Sequence, residues 1–248
     1  MFELAEADLH SIIRANICTD EQRKFILFQI AKGLSWLHSA NVIHRDLKPS
    51  NVLVNQDCSV KLADFGLAKV IPSKKRIIMT DYVATRWYRS PEVLLGCPIY
   101  GKPVDIWGFG CVLVEIFINK PLFPGMSSLQ QLTFILEITG MPTEQELAEL
   151  ESPLTFGMFK TLYIKEHRRD LQQIIGTTDL NLMDLVKKCL VFDPSKRIKI
   201  NEIIKHPFFA VQNPQGKVEN NSKRLTGDVR FNRLSEVREF MYKLIIDV

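Results

Sequence analysis

Apolar residues recur three or four positions apart over most of the chain, which is the spacing of a helix with one buried face. Between residues 20 and 39 the apolar positions run from Leu27 to Leu37 at this spacing, and Thr19 and Asp20 stand ahead of them as N-cap candidates. The same pattern predicts further helices at residues 105–118, from residue 127, at 180–190, at 200–205 and at 235–246. We therefore expect a mainly α protein.

Two short segments are rich in β-forming residues and predict strands. They cover residues 51–54 and 60–63, and the turn-forming sequence Asn55-Gln56-Asp57 separates them. Glycine, proline and charged residues dominate residues 66–103, which predicts a long ordered loop, and a loop of that length in a compact domain usually has a function. Residues 212–230 are polar and are predicted to link the body of the chain to its last helix.

The composition is that of a soluble globular protein, with 46% apolar and 24% charged residues among 248. The net charge of +4 comes from 32 basic and 28 acidic residues, too mild a balance to indicate a nucleic-acid partner. No two of the five cysteines form a close pair, which favours a reduced, intracellular protein. The longest apolar run, residues 104–118, is interrupted by Asp105 and Glu115 and is shorter than the roughly 20 residues of a membrane span. We expect neither a membrane segment nor an export signal.

Three motifs that follow one another along the chain indicate the chemistry of the protein. They are HRDLKPSN at residues 44–51, DFG at residues 64–66 and SPE at residues 90–92. Together they resemble the catalytic loop, the magnesium-binding motif and the APE position of protein kinases, with serine in place of alanine in the last. The resemblance implies the C-terminal lobe of a protein kinase, with a few short β-strands.

Phosphoryl transfer explains why these residue types are needed, because its transition state spreads negative charge over the phosphoryl oxygens. The resemblance implies that Asp46 accepts the proton of the attacking hydroxyl and that Lys48, as in Ser/Thr kinases, contacts the γ-phosphate. Asn51 and Asp64 supply the hard oxygens that suit Mg²⁺. The implied cofactors are ATP and Mg²⁺, and Ser50 belongs to the implied ATP-binding residues.

The resemblance is closest to MAP kinases, because Thr80-Asp81-Tyr82 precedes the sequence VATRWYRSPE at residues 83–92. It implies that Thr80 and Tyr82 are dual phosphorylation sites, each phosphate adding about −1.5 to −2 charge that needs basic partners. The implied partners are Arg45 and Lys69 for phospho-Thr80, and Arg86 and Arg89 for phospho-Tyr82. Thr85 is implied to contact Asp46 and Lys48.

Structural roles also follow from the resemblance, which covers about residues 4–214. Asp105 is implied to hold the backbone of the catalytic loop, and Glu92 to pair with Arg197. Asp8 is implied to lie near the ribose of ATP and Leu53 under its adenine. We expect a kinase large lobe at residues 1–211, with a MAP-kinase-type insert from about Gly140 to Gly176, and a linker with an amphipathic helix at residues 212–248.

The sequence has no glycine-rich GxGxxG loop and no VAIK-type lysine. By the resemblance Met1 aligns with the hinge between the two kinase lobes, so we expect the N-terminal β lobe to be absent. The strand lysine and its helix glutamate must both be in place for catalysis. We therefore predict a MAP-kinase-like Ser/Thr kinase, present as a truncated chain that is poorly active alone.

Other functions remain open at this point. One is a non-catalytic binding module that competes for MAP-kinase partners or activators, and another is a split kinase completed by a second chain. For the leading hypothesis, the family implies protein substrates with Ser-Pro or Thr-Pro sites, an upstream dual-specificity kinase and a phosphatase as partners. It implies a location in the cytoplasm, with the nucleus as a second compartment.

Overall fold

A computed structural model describes residues 6–71, 85–98, 100–152, 154–162 and 169–217. The longest helix is α2 (Asp20–Ser39), which begins at the predicted position. It begins there because the Thr19 hydroxyl accepts a hydrogen bond from the Gln22 backbone N–H while the Gln22 side chain accepts one from the Thr19 N–H. This reciprocal capping satisfies two donors that the first turn leaves without helical partners.

The described chain is mainly helical, which confirms the predicted fold class. The other helices are α1 (Leu9–Ala15), α3 (Pro91–Leu94), α4 (Pro103–Ile118), α5 (Ser128–Thr139), α6 (Glu144–Glu149), α7 (Thr155–Thr161), α8 (Leu171–Ile175), α9 (Leu180–Cys189) and α10 (Ile200–Ile204). Short 3₁₀ turns occur at Pro49–Asn51, Phe65–Leu67, Arg86–Tyr88, Pro194–Lys196 and Pro207–Phe209. No helix within the described ranges has the length and apolar character to cross a membrane.

Two small antiparallel sheets lie against the helices. The first has the order β1 (Ala7–Asp8), β3 (Val52–Val54) and β4 (Val60–Leu62), and the second pairs β2 (Val42–Ile43) with β5 (Lys69–Val70). The strands are only two or three residues long. The strands position the connections between them. The 3₁₀ turn ahead of β3 carries the end of the HRDLKPSN motif, and the loop after β4 carries the DFG motif.

Helix α4 forms the centre of the core and packs against α2 and α9. Its side chains are buried from Val104 to Ile116, as expected of a helix that is apolar all round. Trp107 stacks on Phe123 with the ring centroids 5.8 Å apart. Gly108 lets the helix approach the chain after β2, because a Cβ there would lie 3.1 Å from the Leu47 carbonyl oxygen.

A buried ion pair connects helix α3 to the chain that carries Arg197. The Arg197 guanidinium donates two hydrogen bonds of 2.7 Å to the two carboxylate oxygens of Glu92. Its other donors reach the carbonyl oxygens of Val191, Phe192 and Pro103, so all five N–H groups are used. A fully hydrogen-bonded buried pair holds its two elements together, although removal of one partner is costly.

The region from residue 66 to residue 103 contains more regular structure than the sequence pattern indicated. Its described part includes β5, the turn at Arg86–Tyr88 and the short helix α3, which Pro91 begins at its first position. The predicted helix at residues 235–246 and most of the predicted linker lie outside the described residues. The proposed boundary at residue 211 stays a prediction.

Replacing Arg197 with alanine is expected to lower the free energy of unfolding by about 3–5 kcal/mol, because Glu92 would be left charged and buried without its partner. Chemical denaturation monitored by circular dichroism measures the change. The matched control is Lys196→Ala, which removes the neighbouring exposed cation that pairs with Glu146, and it should change stability little. An Arg197→Ala variant as stable as the control would contradict the assignment.

Candidate active site

The Asp105 carboxylate anchors the backbone of the HRD sequence. Oδ2 accepts a hydrogen bond from the His44 backbone N–H at 2.9 Å, and Oδ1 accepts one from the Arg45 N–H at 2.8 Å. The His38 ring at the end of α2 bonds to Oδ2 at 2.8 Å. Burial alone raises the pKa of Asp105, but the bonds from His38 and His44 outweigh it and hold that pKa below its usual range. The predicted Asp105 contact with this backbone is thus present in the geometry.

The His44 imidazole joins the HRD backbone to the strand before the DFG sequence. Its Nε2 lies 3.0 Å from the Ala63 carbonyl oxygen, and its Nδ1 lies 3.3 Å from the Asp46 backbone N–H. The first contact requires a proton on Nε2 and the second a lone pair on Nδ1, which is the neutral form. Burial lowers the pKa of His44 and favours that form. Its ring also contacts Phe65, with the centroids 5.1 Å apart.

Asp46, Lys48 and Asn51 form one hydrogen-bonded cluster. Asp46 Oδ2 accepts hydrogen bonds from Lys48 Nζ at 2.7 Å and from Asn51 Nδ2 at 2.9 Å. Asn51 Nδ2 also donates to the Asp46 carbonyl oxygen at 2.8 Å. These contacts occupy Oδ2 and leave Oδ1 of Asp46 without a hydrogen bond to the described residues. The carboxylate is therefore oriented by two donors on Oδ2.

The Ala63 N–H donates a hydrogen bond of 2.8 Å to the Asn51 carbonyl oxygen, so the chain segments that carry Asn51 and Asp64 run next to one another. The Asn51 side-chain nitrogen donates both of its hydrogen bonds to Asp46, so the side-chain oxygen of Asn51 faces away from that residue. Asp64 is exposed, adopts a left-handed backbone with φ of 59°, and accepts a weak bond from the Gly66 N–H. One amide and one carboxylate oxygen fit Mg²⁺, which takes one or two protein carboxylates together with phosphate and water oxygens.

Asp8 and Leu53, both predicted ATP contacts, face one another as Cα partners in the β1–β3 pair. The Asp8 carboxylate caps α1 by accepting a hydrogen bond of 2.7 Å from the Ser11 N–H. That bond lowers the pKa of Asp8 although burial opposes it. Ser50 is exposed in the turn before β3. Their contacts with ATP stay predictions, since the geometry also gives Asp8 a structural role.

Arg45 and Lys69 bring two cations together. Arg45 has a left-handed backbone with φ of 69°, and its guanidinium bonds the Tyr100 hydroxyl at 2.7 Å and the Leu67 carbonyl oxygen at 3.3 Å. Lys69 lies opposite Ile43 in the β2–β5 pair, two positions before Arg45. Burial and the nearby Arg45 charge lower the pKa of Lys69. Two adjacent cations of this kind suit a dianion such as a phosphate ester.

The remaining predicted phosphate partners lie on the Arg86–Tyr88 turn, with Arg89 as its C-cap residue and its backbone N–H bonded to the Arg86 carbonyl oxygen. Arg86 is exposed and Arg89 is half-buried. Thr85 is exposed, and no hydrogen bond joins it to Asp46 or Lys48 in the described chain. Thr80 and Tyr82 lie outside the described residues, so their predicted phosphorylation stays a prediction.

The sequence patterns did not single out one buried carboxyl group, that of Glu115. Glu115, on α4, is 1% exposed and lies close to Tyr88, and its Oε2 has no hydrogen-bond partner within the described residues. Burial raises the pKa of Glu115 to about 7, although the nearby Tyr88 hydroxyl lowers it. Burial and the nearby Glu115 raise the pKa of Tyr88 far above its ordinary value. The sequence feature that could have identified Glu115 is its position inside the apolar run of residues 104–118, where a charged residue is unusual.

Comparisons with known proteins agree with these motifs. The family model for the protein kinase domain matches residues 1–209. The chain is 44% identical over 213 residues to extracellular signal-regulated kinase 2 of Dictyostelium discoideum. It is 44% identical over 211 residues to mitogen-activated protein kinase 11 of Arabidopsis thaliana, and 44% identical over 209 residues to mitogen-activated protein kinase 6 of Oryza sativa subsp. japonica.

These alignments cover 84%, 85% and 84% of this chain respectively. They cover 58%, 56% and 55% of the three relatives. The chain thus spans little more than half the length of the curated relatives it matches.

Asp105→Asn is expected to destabilise the chain and to loosen the HRD backbone, because an amide has one acceptor oxygen where the carboxylate uses two. An unmade hydrogen bond of a buried group costs about 1–3 kcal/mol. Chemical denaturation gives the stability, and hydrogen exchange gives the protection of the His44 and Arg45 amides. Asp184→Asn is the control, since Asp184 also bonds a histidine, His206, but is half exposed. Unchanged protection at His44 and Arg45 would contradict the role of Asp105.

The pKa of Glu115 predicts a pH-dependent stability. Because it is about 7 in the folded chain against an ordinary 4.5, the folded state binds this proton more tightly than the unfolded state. The free energy of unfolding should therefore fall by about 2–3 kcal/mol between pH 5 and pH 8 relative to Glu115→Gln. Glu137→Gln, at another buried glutamate, is the control, and urea denaturation at both pH values is the measurement. A difference between wild type and Glu115→Gln that does not vary with pH would refute this assignment.

Proposed function

Because this chain belongs to the protein kinase domain family, among the MAP kinases, we propose that it carries the phosphoryl-transfer chemistry of a protein serine/threonine kinase. The reaction transfers the γ-phosphate of ATP to a serine or threonine hydroxyl of a protein. The observation that carries the proposal is the cluster of Asp46, Lys48 and Asn51, in which two donors orient one carboxylate.

In the proposed reaction Asp46 accepts the proton of the attacking hydroxyl at Oδ1 while Oδ2 stays bonded to Lys48 and Asn51. The hydroxyl oxygen forms a bond to the γ-phosphorus, and the bond from that phosphorus to the bridging oxygen of ADP breaks. Lys48 neutralises charge on the transferred group. Little covalent chemistry falls to the protein, so positioning and charge account for most of the catalysis.

Mg²⁺ and ATP are the proposed cofactors. Asn51 and Asp64 would hold the cation, which neutralises charge on the phosphates when it is bound. Asp8, Ser50 and Leu53 are the proposed contacts of the nucleotide itself. The support for the metal pair is the oxygen chemistry of Asn51 and Asp64 together with the Ala63 hydrogen bond to Asn51, which joins the backbone segments that carry them.

We also propose that phosphorylation of Thr80 and Tyr82 regulates this chemistry. Arg45 and Lys69 lie close enough to affect one another, and the phosphate of Thr80 would separate and neutralise their charges. Arg86 and Arg89, adjacent on one turn, would receive the phosphate of Tyr82. Arg45 also belongs to the HRD sequence, so its phosphate contact would act directly on the backbone that Asp105 holds.

The proposed partners follow from the family alone. They are protein substrates with Ser-Pro or Thr-Pro sites, an upstream dual-specificity kinase and a phosphatase, in the cytoplasm and also the nucleus. Thr85, at the start of the turn at Arg86–Tyr88, is proposed to contact Asp46 and Lys48 once a substrate is bound. No contact of this kind is needed to orient Asp46 in the free chain, where Lys48 and Asn51 do so.

We expect residues 1–248 on their own to transfer phosphate slowly. Their sequence contains no glycine-rich phosphate loop and no VAIK-type lysine, and both parts contribute to phosphoryl transfer in protein kinases. An ATP held on one side only would leave its phosphates open to water, which weakens every electrostatic interaction with them.

The test combines turnover with a binding readout. The chain is incubated with radiolabelled ATP, Mg²⁺ and a Thr-Pro peptide, and transfer is compared between wild type, Asp46→Asn and the control Asp57→Asn in an exposed turn. General base catalysis contributes about 10²–10⁴-fold, so Asp46→Asn should lose at least a hundredfold while the control keeps its activity. Mn²⁺·ATP should separately broaden the NMR signals of Asn51 and Asp64.

Equal transfer by wild type and Asp46→Asn would refute the role of Asp46. Binding of Mn²⁺·ATP away from Asn51 and Asp64 would refute the metal assignment. A chain that binds no nucleotide and transfers no phosphate, yet competes with an intact MAP kinase for its activator, would favour the non-catalytic binding module. Robust transfer by residues 1–248 would contradict only the expectation of slow turnover.

A further inference from the structure

A buried glutamine bonds the Arg86–Tyr88 turn to helix α5. The Gln131 side chain is 0% exposed, and its Nε2 donates a hydrogen bond of 3.2 Å to the Trp87 carbonyl oxygen. Its Oε1 accepts a hydrogen bond of 3.0 Å from the Gly125 backbone N–H. One amide group therefore joins α5, the loop directly before it and a turn that lies 44 residues earlier in the chain.

The loop before α5 approaches the helix so closely that Gly125 has no space for a side chain. A Cβ there would lie 2.6 Å from the backbone nitrogen and the Cα atom of Gln131. The next N–H, that of Met126, donates a hydrogen bond of 2.7 Å to the Gln130 side-chain oxygen. Two consecutive glutamines thus bond two consecutive amides of the loop. Within the described residues, Gln131 is the one of the two that also bonds the Arg86–Tyr88 turn.

The chemistry of this buried position favours a directional role. An apolar side chain of similar volume would fill the space without the cost of burying an amide. Both polar atoms of Gln131 have partners, which offsets that cost and fixes the direction of the Trp87 carbonyl group. Arg197 bonds the same chain segment further on, at Glu92. The Gln131 bond adds a fixed point closer to Thr85.

We propose that Gln131 is a positioning residue for peptide substrates, an inference that rests on the proposed function. Its bond to the Trp87 carbonyl oxygen fixes the peptide unit that follows Trp87. That unit lies two residues after Thr85, which is proposed to contact Asp46 and Lys48 once a substrate is bound. The segment is thus oriented before the substrate arrives, so less ordering has to accompany peptide binding.

The proposed role affects peptide affinity and leaves the chemical step unchanged. Asp46 is oriented by hydrogen bonds from Lys48 and Asn51, and Gln131 takes part in neither bond. Loss of the Gln131 amide should therefore raise the KM for the peptide and preserve kcat and the KM for ATP. Because transfer by this chain is expected to be slow, the KM for the peptide approximates its Kd.

Steady-state kinetics with the full 248-residue chain tests the assignment. Radiolabelled ATP, Mg²⁺ and a Thr-Pro peptide give kcat and both KM values for wild type and Gln131→Met, in which a side chain of similar size lacks the amide. A neutral hydrogen bond corresponds to about a three- to tenfold change in an equilibrium constant, and the peptide KM should rise by that factor. Gln130→Met is the matched control, since Gln130 is exposed on the same helix and bonds the same loop. It should keep all three constants.

A local measurement reports the hydrogen bond itself. Trp87-Tyr88 is the only Trp-Tyr pair in the sequence. Labelling tryptophan with carbonyl ¹³C and tyrosine with ¹⁵N therefore gives one amide correlation in the NMR spectrum. This signal should shift in Gln131→Met, because the Trp87 carbonyl oxygen loses its donor, and it should keep its position in Gln130→Met.

A second variant covers the case in which Gln131→Met fails to fold, as judged by circular dichroism. Gln131→Asn keeps an amide but is one methylene shorter, so it cannot span the distance between Trp87 and Gly125, and it should also raise the peptide KM. An unchanged peptide KM in a folded variant would overturn the inference. An equal rise of both KM values, or an unshifted Trp87-Tyr88 signal, would do the same. Wild-type chain that transfers no phosphate to the peptide would contradict the proposed function, and the inference would fall with it.

Discussion

The hydrogen bonds from the HRD backbone to Asp105 support most of the candidate active site. One buried carboxylate holds two consecutive N–H groups, those of His44 and Arg45, although Arg45 has the unfavourable left-handed backbone. That backbone turns Asp46 toward Lys48 and Asn51, and it places the His44 ring against the Ala63 carbonyl oxygen. The strain at Arg45 is acceptable because the carboxylate satisfies both amides in a buried position.

The same helix, α4, carries two buried acids with opposite pKa shifts. Its first turn carries Asp105, which bonds the backbone of the HRD sequence, and its last turn carries Glu115, which lies close to Tyr88. The two acids lie in different environments. Asp105 has donors for both of its oxygens, so its pKa is lowered despite burial, whereas Glu115 has an unpaired oxygen and a raised pKa. The number of hydrogen-bond donors, rather than the depth of burial, decides whether the pKa of a buried acid falls or rises.

The sequence pattern predicted the long elements well because their causes are local. Helix α2 begins after Thr19, where a reciprocal cap supplies the missing hydrogen bonds, and α4 follows the apolar run to within two residues. Residues 66–103 were harder to assign. Helix α3 is only four residues long and has too few positions to show a period, and it persists because Arg197 holds its Glu92 from a distance of 105 residues along the chain.

The order of the motifs in the sequence was enough to predict the family, since HRDLKPSN and DFG stand in the order and at the spacing of a protein kinase. Only the tertiary structure decided which groups meet. The hydrogen bond of His38 to Asp105, the proximity of Arg45 to Lys69, and the proximity of Glu115 to Tyr88 depend on how separate elements pack. Local sequence patterns determine where a helix begins and which of its faces is apolar, because these properties depend on residues that are close together in the chain. Burial, and with it the pKa of a carboxyl group, depends on what the fold places around it.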